Sequence, residues 1–376
     1  MKVFLASVFA QLFLNPYVFL RGWQAIPPKN IWRIPFILFF SLELLVFFTG
    51  YFFYISLPDE IMVYIYNVCG AWYISLLYIT MTLLGIEIIR FSHRIWHWFP
   101  SCVLRHWKKV KLMMFFAVVI FIIILMMNAY NTVMNPIVRH VYINVPDKSE
   151  INRHDSLNIV LMSDVHIGEI ITKDLVRRYV SMSNSLNPDI VLLAGDILDY
   201  DLHSAQKYHF DSVLMQLHAP LGVYAVNGNH EYRANRFSKW NWIRQCGIKL
   251  LIDSVALIDS SFYLVGRDDY VNENRQPIQA LIKNLDRGRP TIMLDHQPRS
   301  FVEASMNGID LTLCGHTHYG QFWPYSLIMH LIYKCPYGYY RRGHSQFYIS
   351  SGIGIAGPPY RVGTVSEMVM LHIRFL

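Results

Sequence analysis

The sequence is poor in charged residues and in cysteine, and each shortage excludes a class of protein. Only 16% of the 376 residues are Asp, Glu, Lys or Arg, whereas 53% are hydrophobic, a composition that is unusual for a fully soluble enzyme. The five cysteines are too scattered to indicate a disulfide framework, although a Cys246–Cys335 bridge remains compatible with their positions. There is no helix-turn-helix, zinc-finger or aromatic RNA-binding motif, so the net charge of +7 does not indicate nucleic-acid binding.

Charge is scarcest before residue 135, where apolar runs dominate. Three runs contain at most one charged side chain each, and each is long enough for the hydrocarbon core of a bilayer, which takes about 20 residues. The runs are residues 36–57, 61–89 and 112–134.

A shorter apolar segment, residues 3–20, contains Gln11, Asn15 and Pro16. It has no clear signal-peptide cleavage site, so we expect a retained helix that either spans the membrane or lies at its interface. The sequence therefore predicts an all-α transmembrane region of three or four spans in residues 1–135. A connector follows in residues 136–156, which turn polar and contain Pro136 and Pro146.

Basic residues flank the apolar segments unevenly, and this asymmetry predicts their orientation. The loop between 61–89 and 112–134 contains six Lys or Arg and no acidic residue, and the stretch before residue 36 contains three more bases. By the positive-inside rule both stretches face the cytoplasm. We therefore predict an integral protein of the inner or plasma membrane whose C-terminal domain is extracytoplasmic.

Five short polar motifs follow apolar runs in the C-terminal part of the chain. Runs rich in Val, Ile and Leu that end in Gly, Asn or Asp predict buried strands, and loops from several such strands converge at one sheet edge. The runs are residues 157–162, 190–194, 223–226, 291–294 and 311–314. The motifs are Asp164-Val165-His166, Gly195-Asp196, Gly228-Asn229-His230-Glu231, Asp295-His296 and Gly315-His316-Thr317-His318.

The side chains in these motifs are carboxylates, imidazoles and one amide. Such ligands suit divalent Mn, Fe or Zn, and the absence of cysteine from the ligand positions argues against a structural zinc knuckle. The set is large enough to hold two metal ions, so we predict a dinuclear site whose metal identity the sequence leaves open.

The order of these motifs resembles the calcineurin-like metallophosphoesterase family, D-x-H, G-D, G-N-H-[DE], H and G-H-x-H. Within the family the chain is most similar to the membrane-associated bacterial branch, which usually reads G-H-T-H-G-G-Q. Tyr319 here replaces the first of the paired glycines. The resemblance implies an α/β fold, a four-layer αββα sandwich, for residues 157–376.

The resemblance also implies a role for each matching residue. Asp164, His166 and His318 would hold the first metal ion, and Asn229, His296 and His316 would hold the second. Asp196 would bridge the two ions, because a carboxylate has two oxygens. His230 would be the general acid that protonates the leaving oxygen.

Three further residues are candidates for contact with the substrate. Arg233 follows His230 closely and Arg341 follows an apolar stretch, so either guanidinium could pair with a phosphate. Tyr319 adjoins two predicted ligands and would shape the mouth of the site. The structural alternative for Arg341 is a solvated basic turn after a core helix. For the Arg233 region it is a helix that Trp240 and Trp242 pack and that ends near Gly247.

The sequence thus predicts a membrane-anchored two-metal hydrolase of a phosphomonoester, phosphodiester or pyrophosphate, plausibly of a lipid or cell-envelope component. Three alternatives remain. One is a phosphodiesterase that trims lipid-linked head groups outside the cytoplasm. A lipid-precursor pyrophosphatase acting on UDP-2,3-diacylglucosamine would need a cytoplasmic active site, which conflicts with the charge pattern. A metal-bearing membrane scaffold without turnover would keep the same ligands. The predicted partners are the phosphoester substrate and the bilayer, with no nucleic acid, and the oligomeric state is left open.

Overall fold

The computed structural model describes residues 8–53, 56–146 and 155–376. The chain divides into two compact units, Met1–Ala129 and Tyr130–Leu376. The described residues of the first unit form helices and the turns between them. Its elements are a π-helical turn at Ala10–Leu14 and helices α1 (Asn15–Ala25), α2 (Arg33–Phe53), α3 (Asp59–Trp96), α4 (Ser101–Arg105) and α5 (Trp107–Met134), the last of which runs into the second unit.

Three of these helices are long and apolar enough to cross a membrane, namely α2, α3 and α5. They coincide with the three apolar runs predicted from the sequence. The shorter segment, residues 3–20, forms the π-helical turn and part of α1 from residue 8 onward, and its first residues lie outside the described range. The length and composition of α2, α3 and α5 are those of membrane-spanning helices.

Local sequence explains where the long helix α3 begins and ends. Pro58 precedes it, and Asp59 and Glu60 occupy its first turn, where acidic side chains interact favourably with the positive end of the helix dipole. His93 and Arg94 lie in the last turn, and His97 closes the helix in a left-handed conformation.

Twelve strands of the described residues form two six-stranded sheets in the second unit. The first sheet has the order β1-β12-β2-β3-β4-β5 and the second has the order β10-β11-β9-β8-β7-β6. The strands are β1 (Ile137–Val145), β2 (Ser156–Met162), β3 (Ile190–Leu193), β4 (Val223–Val226), β5 (Lys249–Leu251), β6 (Ser254–Ile258), β7 (Phe262–Gly266), β8 (Thr291–Leu294), β9 (Leu311–Cys314), β10 (Gly338–Arg342), β11 (Ser345–Ile349) and β12 (Glu367–Phe375).

Helices cover the outer faces of the sheets and apolar side chains fill the space between them. Alternate residues of β2, such as Ile159 and Leu161, pack against Leu264 and Leu313 of the second sheet. The intervening Val160 faces the helices of the first sheet. The predicted four-layer α/β fold is therefore confirmed. The helices are α6 (Lys173–Ser185), α7 (His203–Lys207), α8 (Asp211–Leu214), α9 (Arg236–Gln245), α10 (Ile278–Leu281), α11 (Phe301–Met306) and α12 (Tyr325–Ile332).

The polar stretch predicted as a connector, residues 136–156, contains a strand of the domain, and its residues 147–154 lie outside the described range. Residues 137–145 form β1, which pairs in parallel with β12 at the edge of the first sheet. The alternation of Ile143, Asn144 and Val145 explains the strand, because its apolar members are buried and its polar member is exposed. The domain therefore includes residues that lie well before position 157.

All five cysteines are free thiols. Cys246 and Cys335, which the sequence allowed as a bridge, are both buried and unpaired by disulfide. They act as small apolar side chains in two different helix-covered layers of the core.

Candidate metal centre

Parallel strands bring the predicted ligands to one edge of the sheets. β2, β3 and β4 are adjacent and parallel, so Asp164, Asp196 and Asn229 leave them at the same end. In the second sheet, β8 and β9 are also adjacent and parallel, and they are followed by His296 and His316. The two sets meet because the sheets pack face to face.

Five of the predicted ligands occupy left-handed backbone conformations, which non-glycine residues rarely adopt. Each such residue costs on the order of 1 kcal/mol or more, and strain of this kind is concentrated at functional sites. The sharp turns after β2, β3 and β9 let side chains from consecutive positions point toward the same edge. The φ angles are 56° for Asp164, 52° for His166, 51° for Asp196, 74° for His316 and 48° for His318.

A first cluster of ligand atoms consists of Asp164, His166 and His318. The Nε2 atoms of the two histidines are 3.0 Å apart. Oδ1 of Asp164 lies 3.4 Å from Nε2 of His318 and 3.9 Å from Nε2 of His166. All three side chains are buried, and their ligand atoms lie close enough together to hold one metal ion.

A second cluster consists of Asp196, His296 and His316, with the amide of Asn229 as the remaining predicted ligand. Oδ1 of Asn229 is buried and has no hydrogen-bond partner among the described residues. Buried polar atoms are normally satisfied, so an unpartnered amide oxygen at a predicted ligand position fits a bound cation. Nδ1 of His296 lies 2.7 Å from the carbonyl oxygen of Ala194, which leaves Nε2 as its ligand atom.

The carboxylate of Asp196 lies between the two clusters. Its Oδ2 is 3.3 Å from Nε2 of His296 and 3.7 Å from Nε2 of His166. Its Oδ1 accepts a hydrogen bond of 2.8 Å from the backbone N–H of His230. A carboxylate in this position can serve both clusters.

Asp196 supplies negative charge to the site, and a metal ion would take the place of the proton that Asp196 favours on His296. Burial opposes ionisation of Asp196, but His296, His230 and His166 together hold the pKa of Asp196 well below its usual range. Burial likewise disfavours protonation of His296, but Asp196 raises the pKa of His296 well above its usual value. Burial lowers the pKa of His316 to about 3, so its imidazole is neutral and has a free lone pair.

Close approach of the loops depends on glycine at two motif positions. A Cβ at Gly228 would collide with the carboxylate of Asp196. A Cβ at Gly315 would collide with Ser163 and with the carboxylate of Asp164. The glycines of the G-N-H-E and G-H-T-H motifs are therefore needed for packing against the ligands themselves.

His230 is held by a carboxylate on one side. Its Nδ1 lies 2.7 Å from Oδ1 of Asp199, and its Nε2 lies 3.9 Å from Oδ2 of Asp196. Burial favours the neutral form of Asp199, but hydrogen bonds with His166 and His230 hold its pKa below the usual range. An ionised Asp199 fixes the ring of His230 with Nε2 directed toward the ligand clusters.

Lys239 and Glu231 brace the loop that carries His230. The buried Nζ of Lys239 donates to the carbonyl oxygen of His230 at 2.7 Å and to that of Asp199 at 3.2 Å. Glu231 accepts hydrogen bonds from the backbone N–H groups of Asp196, Leu198 and Gly228. It is thus a structural partner that ties two ligand loops together.

Arg361 performs a similar role for the other side of the site. It is almost completely buried, and its guanidinium donates to the carbonyl oxygens of His318, Ser351 and Gly354. It thereby joins the G-H-T-H turn to the loop after β11. Sequence reasoning missed both Arg361 and Lys239. Arg361 is the only Asp, Glu, Lys or Arg in residues 343–366, and this isolation could have drawn attention to it. The sequence around Lys239 contains no comparable signal.

The three predicted substrate contacts lie in different places. Tyr319 follows His318 directly and stacks on Tyr337, with the ring centroids 4.8 Å apart. Arg233 is exposed, and its N–H donates to the carbonyl of His230. Arg341 is not brought to the ligands, because it pairs with Gln346 toward the end of β10 that is remote from them.

Replacing Asp199 by asparagine should lower turnover by about 10–100-fold, the usual effect of losing the partner that orients a catalytic or ligating histidine. The amide can no longer hold the His230 ring as an anionic acceptor. Metal content should stay near the wild-type level, because Asp199 is not one of the predicted ligands. Steady-state hydrolysis and metal analysis of the same sample would check this. Asp201→Asn, an exposed neighbour, is the matched control, and equal rates for the two variants would contradict the role of Asp199.

A model of the calcineurin-like phosphoesterase family matches residues 157–320. This range contains every ligand described above. An uncharacterized metallophosphoesterase of Helicobacter pylori is 32% identical over 254 residues, which cover 65% of each chain. A Bos taurus transmembrane protein with metallophosphoesterase domain is 27% identical over 367 residues, which cover 92% of this chain and 81% of the relative.

The chain spans only part of several relatives. A Caenorhabditis elegans putative metallophosphoesterase is 31% identical over 263 residues, which cover 64% of this chain and 53% of that protein.

Among solved structures, the NAD nucleotidase of Haemophilus influenzae is similar at a TM-score of 0.35 with 16% identity, covering 52% of this chain and 44% of that one. At that score the likeness carries no information on activity.

The matched range, the ligand clusters and the sheet order agree with the family predicted from the motifs. The chain thus contains a calcineurin-like phosphoesterase domain in residues 157–320, and the relatives that it resembles over this region are named metallophosphoesterases.

Proposed function

We propose that this protein is a membrane-anchored, two-metal phosphoesterase that hydrolyses a phosphomonoester, phosphodiester or pyrophosphate of a lipid or cell-envelope component. The observation that carries the proposal is the position of Asp196, whose carboxylate faces both clusters of buried ligand atoms. One carboxylate between two imidazole clusters is the arrangement that a pair of divalent ions needs.

In this proposal Asp164, His166 and His318 hold one ion. Asn229, His296 and His316 hold the other, and Asp196 serves both. The bound ions would supply an activated water and neutralise charge on the phosphoryl oxygens. The ligand types accept Mn, Fe or Zn, so the metal is left open.

His230 would hold the proton for the leaving oxygen at Nε2. Its other nitrogen is engaged by Asp199 at 2.7 Å, which fixes the orientation of the ring. The backbone around His230 is anchored by Lys239 and by Asp196, so the Nε2–H direction is set before a substrate binds. These contacts support general acid catalysis by His230.

The membrane location supports a substrate with a lipid or envelope component. Helices α2, α3 and α5 each have the length and composition of a membrane span. The basic loops before α2 and between α3 and α5 would lie in the cytoplasm, which would place the catalytic domain outside it. A UDP-diacylglucosamine pyrophosphatase would need the opposite orientation.

Hydrolysis of two chromogenic esters tests the proposal. The full chain, purified in detergent with added Mn²⁺, should release p-nitrophenolate from bis-p-nitrophenyl phosphate or p-nitrophenyl phosphate. The ratio of the two rates would define its preference for diesters or monoesters. A protein that binds metal yet hydrolyses neither ester would instead fit the metal-bearing scaffold.

A further inference from the structure

Helix α12 exposes several large apolar side chains, which is unusual for a helix on the surface of a soluble domain. The side chains of Leu327, Leu331 and Ile332 are 57%, 86% and 53% exposed, whereas those of Ser326 and Met329 face the domain and are buried. A surface helix normally turns its aliphatic residues inward and its polar residues outward. The outward apolar face of α12 therefore needs an apolar environment outside the domain.

The helix adjoins the metal centre. Tyr333, which closes α12, packs edge-to-face on the ring of the ligand His316, with the ring centroids 6.0 Å apart. His330, on the helix, packs edge-to-face on Tyr319, with the ring centroids 5.8 Å apart. Whatever contacts the exposed face of α12 is therefore only a few side chains away from the ligands.

Contacts also link the start of α12 to the end of α5, where the chain enters the C-terminal domain. Within the second unit, the ring of Tyr130, near the end of α5, lies 6.1 Å from the ring of Tyr360. The carbonyl oxygen of Tyr360 accepts from Gln321. The next residue but one, Trp323, donates its N–H to Val362 in the same loop. The end of a predicted membrane span and the start of α12 thus share one loop.

The surrounding sequence has the charge and aromatic pattern of an interfacial segment. There is no Asp or Glu from residue 311 to residue 366, and Lys334 follows the helix and is exposed. Trp323 and Tyr325, at the start of the helix, are about half exposed. Amphipathic aromatic residues and a base beside an apolar helix face are typical of segments that lie among lipid head groups.

We propose that α12 docks on the lipid bilayer, with its Leu327 and Leu331 face among the acyl chains and Lys334 at the anionic head groups. The metal centre would then open at the membrane surface. Combined with the proposed function, on which this last step rests, the docking selects substrates whose phosphate is attached to a membrane-embedded lipid.

Quenching of a fluorescent label by the lipid tests the docking independently of hydrolytic activity. The full chain with Cys102→Ser, which removes the one exposed cysteine, would carry Leu331→Cys labelled with an environment-sensitive nitrobenzoxadiazole. Met306→Cys is the matched control, because Met306 is an equally exposed apolar residue (82%) at the end of α11 in the same domain. Both proteins would be placed one copy per nanodisc in phosphatidylcholine and phosphatidylglycerol, with or without acyl-chain bromination.

Brominated lipid should quench the label at position 331 several-fold more than the label at position 306. Equal quenching at the two positions would overturn the docking. A label at position 331 whose emission shows an apolar environment, but which brominated lipid does not quench, would overturn it as well. The second result would indicate a protein on this face, and single-copy discs exclude a second copy of the chain as its source.

A double variant, Leu327→Asp with Leu331→Asp, links the docking to the substrate. Both positions are exposed, so the variant should fold and should hydrolyse soluble bis-p-nitrophenyl phosphate at the wild-type rate. It should hydrolyse a diacylglycerol ester of p-nitrophenyl phosphate in nanodiscs several-fold more slowly than wild type. Failure of the wild type on the soluble diester would count against the proposed function alone, because the quenching result stands independently of it.

Discussion

An Asp196→Asn protein should lose its bound metal and its hydrolysis together. The carboxylate of Asp196 faces both ligand clusters, at 3.3 Å from His296 and 3.7 Å from His166. Asparagine removes the negative charge and puts an N–H₂ group or a single neutral oxygen in its place, so neither ion keeps its shared ligand. Residual activity should fall to the level of a sample without protein.

Elemental analysis and ester hydrolysis on one purified sample would measure both effects. Asp174→Asn is a suitable control, because that carboxylate is 85% exposed and pairs only with Arg177 in the described structure. The control should match wild type in both measurements. Wild-type metal content in Asp196→Asn would contradict the bridging role.

A His230→Ala protein should keep its metal but turn over about 10²–10⁴-fold more slowly, the usual contribution of a general acid. His230 donates its backbone N–H to Asp196, and alanine preserves that bond. Its side chain bonds to Asp199, which is outside the predicted ligand set. The loss should therefore appear in kcat, and it should be smaller for esters whose leaving group needs no proton.

Comparing p-nitrophenyl and alkyl phosphoesters would expose this pattern, because p-nitrophenolate leaves readily without protonation. His218→Ala, an exposed histidine twelve positions earlier, provides the control. A His230→Ala protein that loses metal as Asp196→Asn does would identify His230 as a ligand instead.

The five strands that deliver the motifs were predictable almost to the residue. Val223–Val226, Thr291–Leu294 and Leu311–Cys314 each form a strand with the predicted bounds. Such strands are buried on both faces, so their sequences are continuous apolar runs that end abruptly at a polar residue. The family match then confirmed the fold class that these runs and motifs implied.

The edge strand β1 was not predicted, and the reason is physical. An edge strand is partly exposed, so Arg139, His140 and Asn144 interrupt its apolar residues and the segment resembles a polar linker. Its partner β12 lies more than 200 residues away in sequence. Local pattern does not encode a pairing across that distance.

The buried side chains that support the loops of the metal centre could not be predicted from the sequence either. The buried Lys239 reaches the His230 loop only because helix α9 folds back over it. Arg361 reaches three carbonyl groups only after β11 and the loop behind it are in place. Motifs identify residues that perform chemistry, whereas these supports depend on tertiary structure alone.

Metal titration of the wild-type chain tests the two-metal phosphoesterase most directly. The protein would be stripped with a chelator in detergent, freed of the chelator, and titrated with Mn²⁺ or Zn²⁺ while bound metal and bis-p-nitrophenyl phosphate hydrolysis are followed together. Hydrolysis should be absent at first and should rise until two equivalents are bound. Undiminished hydrolysis by the stripped protein, or failure to bind metal at all, would contradict the two-metal centre.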